Sequence, residues 1–249
     1  MSNLSKTLLN KKALITYITA GDPSLAATEK LVYQLEAAGA DVVELGIPFS
    51  DPLADGPVIQ ASHKRALKTK LADVFKLVKT VRKKTQIPIC FMLSYNLVYQ
   101  FGVEKFYLEA EKVGVDGVII PDLPPEEASL DLALSTSHIF LVAPTSTEKR
   151  MKLIAEKSSG FIYLISSTGI TGKRANFADN LKDIVQKIKQ FTNLPVMVGF
   201  GVSEPAQAKE ISKITDGVIV GSAIVDLIAK KKMPAVIKLV KSLRKAIDA

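Results

Sequence analysis

The chain reads as an α/β protein, a single (β/α)8 barrel spanning residues 1–249, and three observations carry that reading. Short apolar runs of strand length alternate with longer stretches of helical period, the sign of repeated βα units around a parallel sheet. Eight such strands fall at even spacing over 249 residues, which suits closure into a TIM barrel better than an open doubly wound sheet. A weak internal repeat supports the count: Ala40-Asp-Val-Val-Glu-Leu, Val115-Asp-Gly-Val-Ile-Ile and Thr215-Asp-Gly-Val-Ile-Val each set an acid just before a β-rich run.

In chain order the strands are expected at 13–19, 41–46, 87–93, 117–121, 139–143, 161–166, 195–199 and 217–221. Proline opens two of them in matching contexts, Thr85-Gln-Ile-Pro-Ile-Cys and Thr192-Asn-Leu-Pro-Val-Met, where no ladder donor is needed. Between the strands lie amphipathic helices. The stretch 28–38 carries Leu31, Leu35 and Ala38 on one face, and 178–191 carries Leu181, Ile184, Ile188 and Phe191. Each is long enough to cross over between parallel strands. Extra helical structure is expected near the N-terminus and at 57–67, within the loop after the second strand and ahead of a regular helix at 73–82. Additions to that loop cover a site or meet a partner.

Composition narrows the function. No apolar run approaches the ~20 residues of a membrane span, and Met1-Ser-Asn-Leu-Ser-Lys-Thr lacks the layout of a secretory signal, so a cytoplasmic protein is expected. Cys90 is the one cysteine and sits in an apolar run, which makes it a buried, inert thiol. The net charge of +8 comes from lysines scattered along helices; with 6% aromatic residues and no recognition motif, this is a pattern of solvated helix faces and not of nucleic-acid binding.

A barrel carries its chemistry at the C-terminal ends of its strands and in the loops after them. The second strand places Glu44 in an apolar run and leads into a Pro- and Gly-punctuated loop with Asp51 and Asp55. A carboxylate in such a strand must be paired or shifted in pKa. By residue type Glu44 fits an ion pair with a lysine as well as it fits catalysis; its place at a strand end favours proton transfer. Asp55-Gly-Pro is a common turn device, so turn chemistry and catalysis both remain open for Asp55, and Asp51-Pro52 fits either a turn or a partner contact.

The last three strands end in Ser166-Ser-Thr-Gly-Ile-Thr-Gly172, Gly199-Phe-Gly201 and Gly221-Ser-Ala223, the last leading into a helix at 223–230. Their coincidence predicts a phosphate cup and hence a phosphorylated substrate. Neither a GxxxxGK[ST] loop nor a GxGxxG fingerprint is present. The two histidines are far apart in the sequence: His63 is expected on the surface of the extra helix and His138 in a loop or strand-edge role, with no metal site. No nucleophile elbow is found, which leaves carboxylate acid–base chemistry.

The run Glu44-Leu-Gly-Ile-Pro-Phe-Ser-Asp-Pro-Leu-Ala-Asp-Gly-Pro-Val-Ile-Gln60 closely resembles the signature of the tryptophan synthase alpha subunit family. The resemblance continues through Thr19-Ala-Gly-Asp-Pro23, Asp122-Leu-Pro124, Thr168-Gly-Ile-Thr-Gly172, Gly199-Phe-Gly201 and Gly221-Ser-Ala-Ile-Val225. It implies a lyase that splits indole-3-glycerol phosphate into indole and glyceraldehyde 3-phosphate by a retro-aldol reaction, with no cofactor on this subunit. By that resemblance Glu44 is the general acid–base, and Asp55 holds the indole N–H. Gly172, Gly201, Gly221 and Ser222 match phosphate positions, Thr171 the loop residue that closes over Asp55, and Tyr17, Tyr163 and Phe200 aromatic positions around the substrate. The family also implies a pyridoxal-phosphate-dependent beta subunit in an αββα complex, met by Asp51, Pro52 and the loops 48–60 and 96–102. Two positions depart from the family pattern: Ser94 stands where tyrosine is common and Ser167 where some members have arginine, and either could loosen packing or loop closure. Another phosphate-binding barrel isomerase or synthase, and a non-catalytic activator of a beta subunit, are the competing readings.

Overall fold

The structure is a computed structural model that describes residues 3–52, 55–128, 135–165, 174–199 and 201–249, with the side chains of 174–178 outside the description. Its strands are β1 (Ala13–Thr19), β2 (Val42–Gly46), β3 (Ile89–Met92), β4 (Gly117–Ile119), β5 (Ser137–Ile139), β6 (Leu141–Val142), β7 (Ile162–Ile165), β8 (Val196–Gly199) and β9 (Gly217–Val220). All pair in parallel, in the order β5-β4-β3-β2-β1-β9-β8-β7-β6. The helices are α1 (Asn3–Leu8), α2 (Leu25–Ala37), α3 (Pro57–Ala66), α4 (Leu71–Val81), α5 (Tyr95–Phe101), α6 (Val103–Val113), α7 (Glu148–Lys157), α8 (Arg174–Lys189), α9 (Pro205–Ser212), α10 (Ser222–Ala229) and α11 (Met233–Ile247). Both expected additions are present, as α1 and α3.

The count of eight strands needs one adjustment. The expected fifth strand begins at Ser137 and divides at Phe140 into β5 and β6. Ser137–Ile139 pairs with β4, while Leu141 and Val142 pair with Tyr163 and Leu164 of β7. One stretch of chain therefore serves both edges of the sheet and brings the barrel near to closure.

Strand alternation sorts the side chains. Inward positions, among them Ile15, Val42, Cys90, Ile119, Tyr163, Met197 and Ile219, form one buried cluster, which Leu4 and Leu8 of α1 join at the strand starts. The neighbouring positions, such as Leu14, Val43, Ile89, Val118 and Val198, pack outward against helix stripes that include Leu31, Val78, Phe106 and Ile188. Cys90 is fully buried and its thiol is pushed up in pKa by burial, as expected of an inert cysteine.

The repeat read in the sequence has a structural meaning. Asp41, Asp116 and Asp216 each clasp one residue at the start of the adjacent strand: their backbone N–H groups donate to the carbonyls of Leu14, Ile89 and Val196 at 2.8, 2.8 and 3.0 Å. In return each carboxylate accepts the N–H of that same residue at 2.8 Å. A cation completes each clasp, Arg244 at 2.9 Å, Arg82 at 2.6 Å and Lys189 at 2.7 Å. The second echo is local: Thr85 Oγ1 and Thr192 Oγ1 accept the N–H two residues on, at 2.9 and 3.1 Å, shaping the turn into each proline. These devices stand at the strand starts, where barrels hold stability and not chemistry. Asp116→Ala strands the largely buried Arg82 and is expected to cost about 3 kcal/mol in urea unfolding with activity per folded molecule unchanged.

Candidate active site

At the opposite ends of the strands lies a cavity of about 360 Å³, lined by Tyr17, Asp55, Ile59, Tyr163, Gly201, Gly221 and Ser222 among others. A second cavity of about 280 Å³ shares Tyr17, Asp55 and Met92 with it and continues along Asp51, Pro52, Ser94, Asn96 and Asp122. The two form the natural candidate site.

Glycines make room for its aromatic walls. A Cβ on Gly46 would overlap the Tyr17 hydroxyl, and one on Gly199 would overlap that of Tyr163. Both rings are buried and both phenols are pushed well up in pKa, chiefly by desolvation. Gly199, read as part of the phosphate cup, thus seats an aromatic ring. Gly201 is different: it has φ +85° and open space where a Cβ would stand. Gly221 caps α10, and Ser222 begins that helix at the cavity wall, so the first-turn N–H groups and the positive end of the helix dipole belong to the cavity lining. Of the cup residues, Gly172 lies outside the described residues, as do Thr171, Phe200 and Ser167.

Glu44 sits on β2 in register with Tyr17 of β1 and Cys90 of β3, only 1% exposed. The lysine partner allowed for in the sequence is not found: Glu44 Oε1 has no hydrogen-bond partner among the described residues. Burial, with a further push from Asp55, raises its pKa to about 8. It does not line either cavity but stands on the strand next to Tyr17, which lines both.

Asp55 precedes Gly56, the N-cap of α3, with Pro57 at the first helical position. Its carboxyl lines both cavities, and burial raises its pKa to about 6. Near neutral pH the pair therefore divides: Glu44 holds a proton and Asp55 a charge, the pattern of an acid beside a stabilising anion.

His63 requires a correction. It was expected on the surface of the extra helix, but it is 5% exposed and faces the site. Its Nδ1 accepts from the Phe49 N–H at 3.1 Å, its Nε2 lies 3.1 Å from Tyr17 Oη, and Asp55 Oδ2 is 3.6 Å away. Burial lowers its pKa to about 4, so the ring is neutral. The signal was the stripe Ile59, Ser62, His63, Ala66, whose helical spacing marks a buried face even though half of it is polar. His138 behaves as expected, on β5 and stacked on Tyr107 at 4.8 Å. Among the described residues no group of histidines, cysteines and carboxylates could hold a metal ion.

Ser94 proves well employed. Its hydroxyl caps α5 and donates to Asp122 Oδ2 at 2.6 Å, while Asp122 Oδ1 accepts the Tyr95 N–H at 2.8 Å. Asp51, exposed and hydrogen-bonded by Ser50 at 2.6 Å, stands with Pro52 in the second cavity's wall.

A family model described as "Tryptophan synthase alpha chain" matches residues 3–247. The chain is 54% identical over 221 residues to the tryptophan synthase alpha chain of Geotalea daltonii, an alignment covering 86% of this chain and 84% of that one. To the alpha chain of Geotalea uraniireducens it is 50% identical over 232 residues, 91% and 86% of the two chains. Among solved structures, tryptophan synthase subunit alpha from Legionella pneumophila superposes with a TM-score of 0.89 at 38% identity, covering 100% of this chain and 99% of that one.

Proposed function

The chain belongs to the tryptophan synthase alpha chain family, and on that premise we propose that Glu44 and Asp55 carry the alpha reaction here. The chain is a carbon–carbon lyase of tryptophan biosynthesis that cleaves indole-3-glycerol phosphate to indole and glyceraldehyde 3-phosphate. The observation that carries the assignment of roles is the divided pair: a buried Glu44, its Oε1 without a partner among the described residues, pushed to about 8 beside an Asp55 held at about 6.

The chemistry follows in order. Glu44, protonated at rest, turns its carboxyl past Tyr17 and gives its proton to C3 of the indole ring. Positive charge develops at the ring nitrogen, where the Asp55 carboxylate accepts the N–H and stabilises it. The Glu44 carboxylate then takes the proton of the glycerol hydroxyl next to C3. The O–H electrons form the aldehyde, the C–C bond breaks, and its electrons return to the ring. Indole leaves and Glu44 is protonated again, ready for another turn. Gly201, Gly221 and Ser222, with Gly172, Thr171 and Phe200 outside the described residues, are the proposed phosphate, loop and ring contacts. Tyr17 and Tyr163 wall the indole, and no cofactor is needed on this chain.

As an alpha chain it works with a beta partner. The αββα arrangement and pyridoxal phosphate on the beta subunit are proposals that follow from the family resemblance alone; contact through Asp51 and Pro52 is a proposal supported by their place in the second cavity's wall. We read residues 1–249 as one barrel domain, supported by the pairing of β1 with β9. No helix among the described residues is long and apolar enough to cross a membrane; a cytoplasmic location is proposed from the biosynthetic role.

In a steady-state assay the isolated chain is expected to release indole from indole-3-glycerol phosphate, faster with a beta subunit. Its kcat/KM should fall below pH about 6, where Asp55 takes up a proton, and above about 8, where Glu44 loses one. No indole release in either setting would overturn the reading.

A further inference from the structure

We propose that His63 is a positioning residue for the alpha reaction: the Phe49 N–H fixes its imidazole so that Nε2–H faces Tyr17 Oη and the Asp55 carboxylate, and this sets where that carboxylate stands. The inference rests on the roles given above to Asp55 and Tyr17.

The tautomer follows from the partners. A backbone N–H can only donate, so Nδ1 accepts from Phe49 at 3.1 Å, and a neutral ring then carries its proton on Nε2. That N–H donates to Tyr17 Oη at 3.1 Å and turns the positive end of its dipole toward Asp55 Oδ2, 3.6 Å away. The ring stays neutral at working pH because burial disfavours its cation. It favours the Asp55 anion by its dipole alone, without a full charge to compete with the charge that develops on the substrate.

The helix that carries His63 is itself fixed. Thr19 and Ser62 hydroxyls hydrogen bond at 2.6 Å, and Arg65 grips Asp22 through two bonds of 3.0 and 2.7 Å. These two pairs and Tyr17–His63 join the end of β1 and the turn after it to the last turn of α3, and Asp55 is the residue just ahead of the helix cap. The ionisable groups that share the cavity wall with the imidazole are Asp55 before α3, Tyr17 on β1, Asp51 and Asp122; Tyr17 in turn feels Glu44 on β2 and Asp22, the latter already paired to Arg65. Of these only Asp55 lies within ion-pair range of the ring.

Two substitutions separate positioning from mere packing. His63→Asn keeps an acceptor for Phe49 and loses the donor at Nε2, whereas His63→Gln restores an N–H near that place. In the full chain His63→Asn is expected to lower kcat/KM about tenfold to a hundredfold and to move the acidic limb up by about one pH unit, with His63→Gln within about threefold of the parent. A carboxyl NMR titration of Asp55 should show the same upward movement in His63→Asn, and it reads the effect without turnover. It therefore decides the role of His63 even if the chain releases no indole from indole-3-glycerol phosphate, a result that would sink only the underlying reading. A folded His63→Asn protein with an unmoved Asp55 titration, or equal losses in both variants with an unmoved limb, overturns the proposal.

Discussion

Glu44→Gln is expected to abolish nearly all turnover while leaving a folded protein that still binds indole-3-glycerol phosphate. Glutamine keeps the shape of the side chain and removes its ionisable proton. One carboxyl serves two transfers in the proposed cycle, to C3 and from the hydroxyl, and general acid–base catalysis is worth ~10²–10⁴ in rate. A loss of at least about a thousandfold in kcat follows, roughly 4 kcal/mol of transition-state stabilisation, with KM changed by no more than about threefold. Stability should move the other way. The folded pKa of Glu44 is raised, so its contribution to stability is full below the ordinary carboxyl range and is lost as pH rises toward about 8. The glutamine protein escapes that loss and should melt no lower than the parent at pH 8. Steady-state kinetics and thermal melting together check this, and substantial turnover in Glu44→Gln would remove the mechanism.

Asp55→Asn tests the second carboxyl. The amide cannot offset the positive charge at the indole nitrogen, and removal of one preorganised electrostatic partner costs about 10²–10³ in kcat. A second effect accompanies it. The Asp55 charge helps hold the Glu44 pKa up, so its removal should bring Glu44 down and shift the alkaline limb of residual activity to lower pH. A turn residue would show neither effect. Full activity in a folded Asp55→Asn protein would return Asp55 to turn chemistry.

Much of the fold was legible because it is written in local patterns. The alternation of strand and helix periods gave the barrel, and the three acid-led repeats turned out to be three copies of one clasp, in which Asp41, Asp116 and Asp216 each join the starts of two neighbouring strands. The fifth strand resisted because its division answers to both edges of the sheet at once, a demand that no single run of sequence expresses. Glu44 was legible as an anomaly, an acid in an apolar strand, and among the described residues no lysine pairs with it. Asp55 was ambiguous locally because Asp-Gly-Pro serves turns and sites alike; its burial against the cavities favours the site. His63 was misread because its partners, Tyr17 and Phe49, lie 46 and 14 residues away in the chain. A histidine on a short helix with charged neighbours looks exposed until those contacts are known.

The claim at the centre is that Glu44 rests as a protonated acid beside an ionised Asp55. A carboxyl NMR titration of the parent protein, assigned by comparison with Glu44→Gln and repeated on Asp55→Asn, tests it most directly. The expected result is a glutamate resonance titrating near 8 in the parent, missing from Glu44→Gln and moved to lower pH in Asp55→Asn. If every glutamate in the parent titrates in the ordinary range near 4.5, Glu44 enters the reaction as an anion and cannot be the acid that protonates indole.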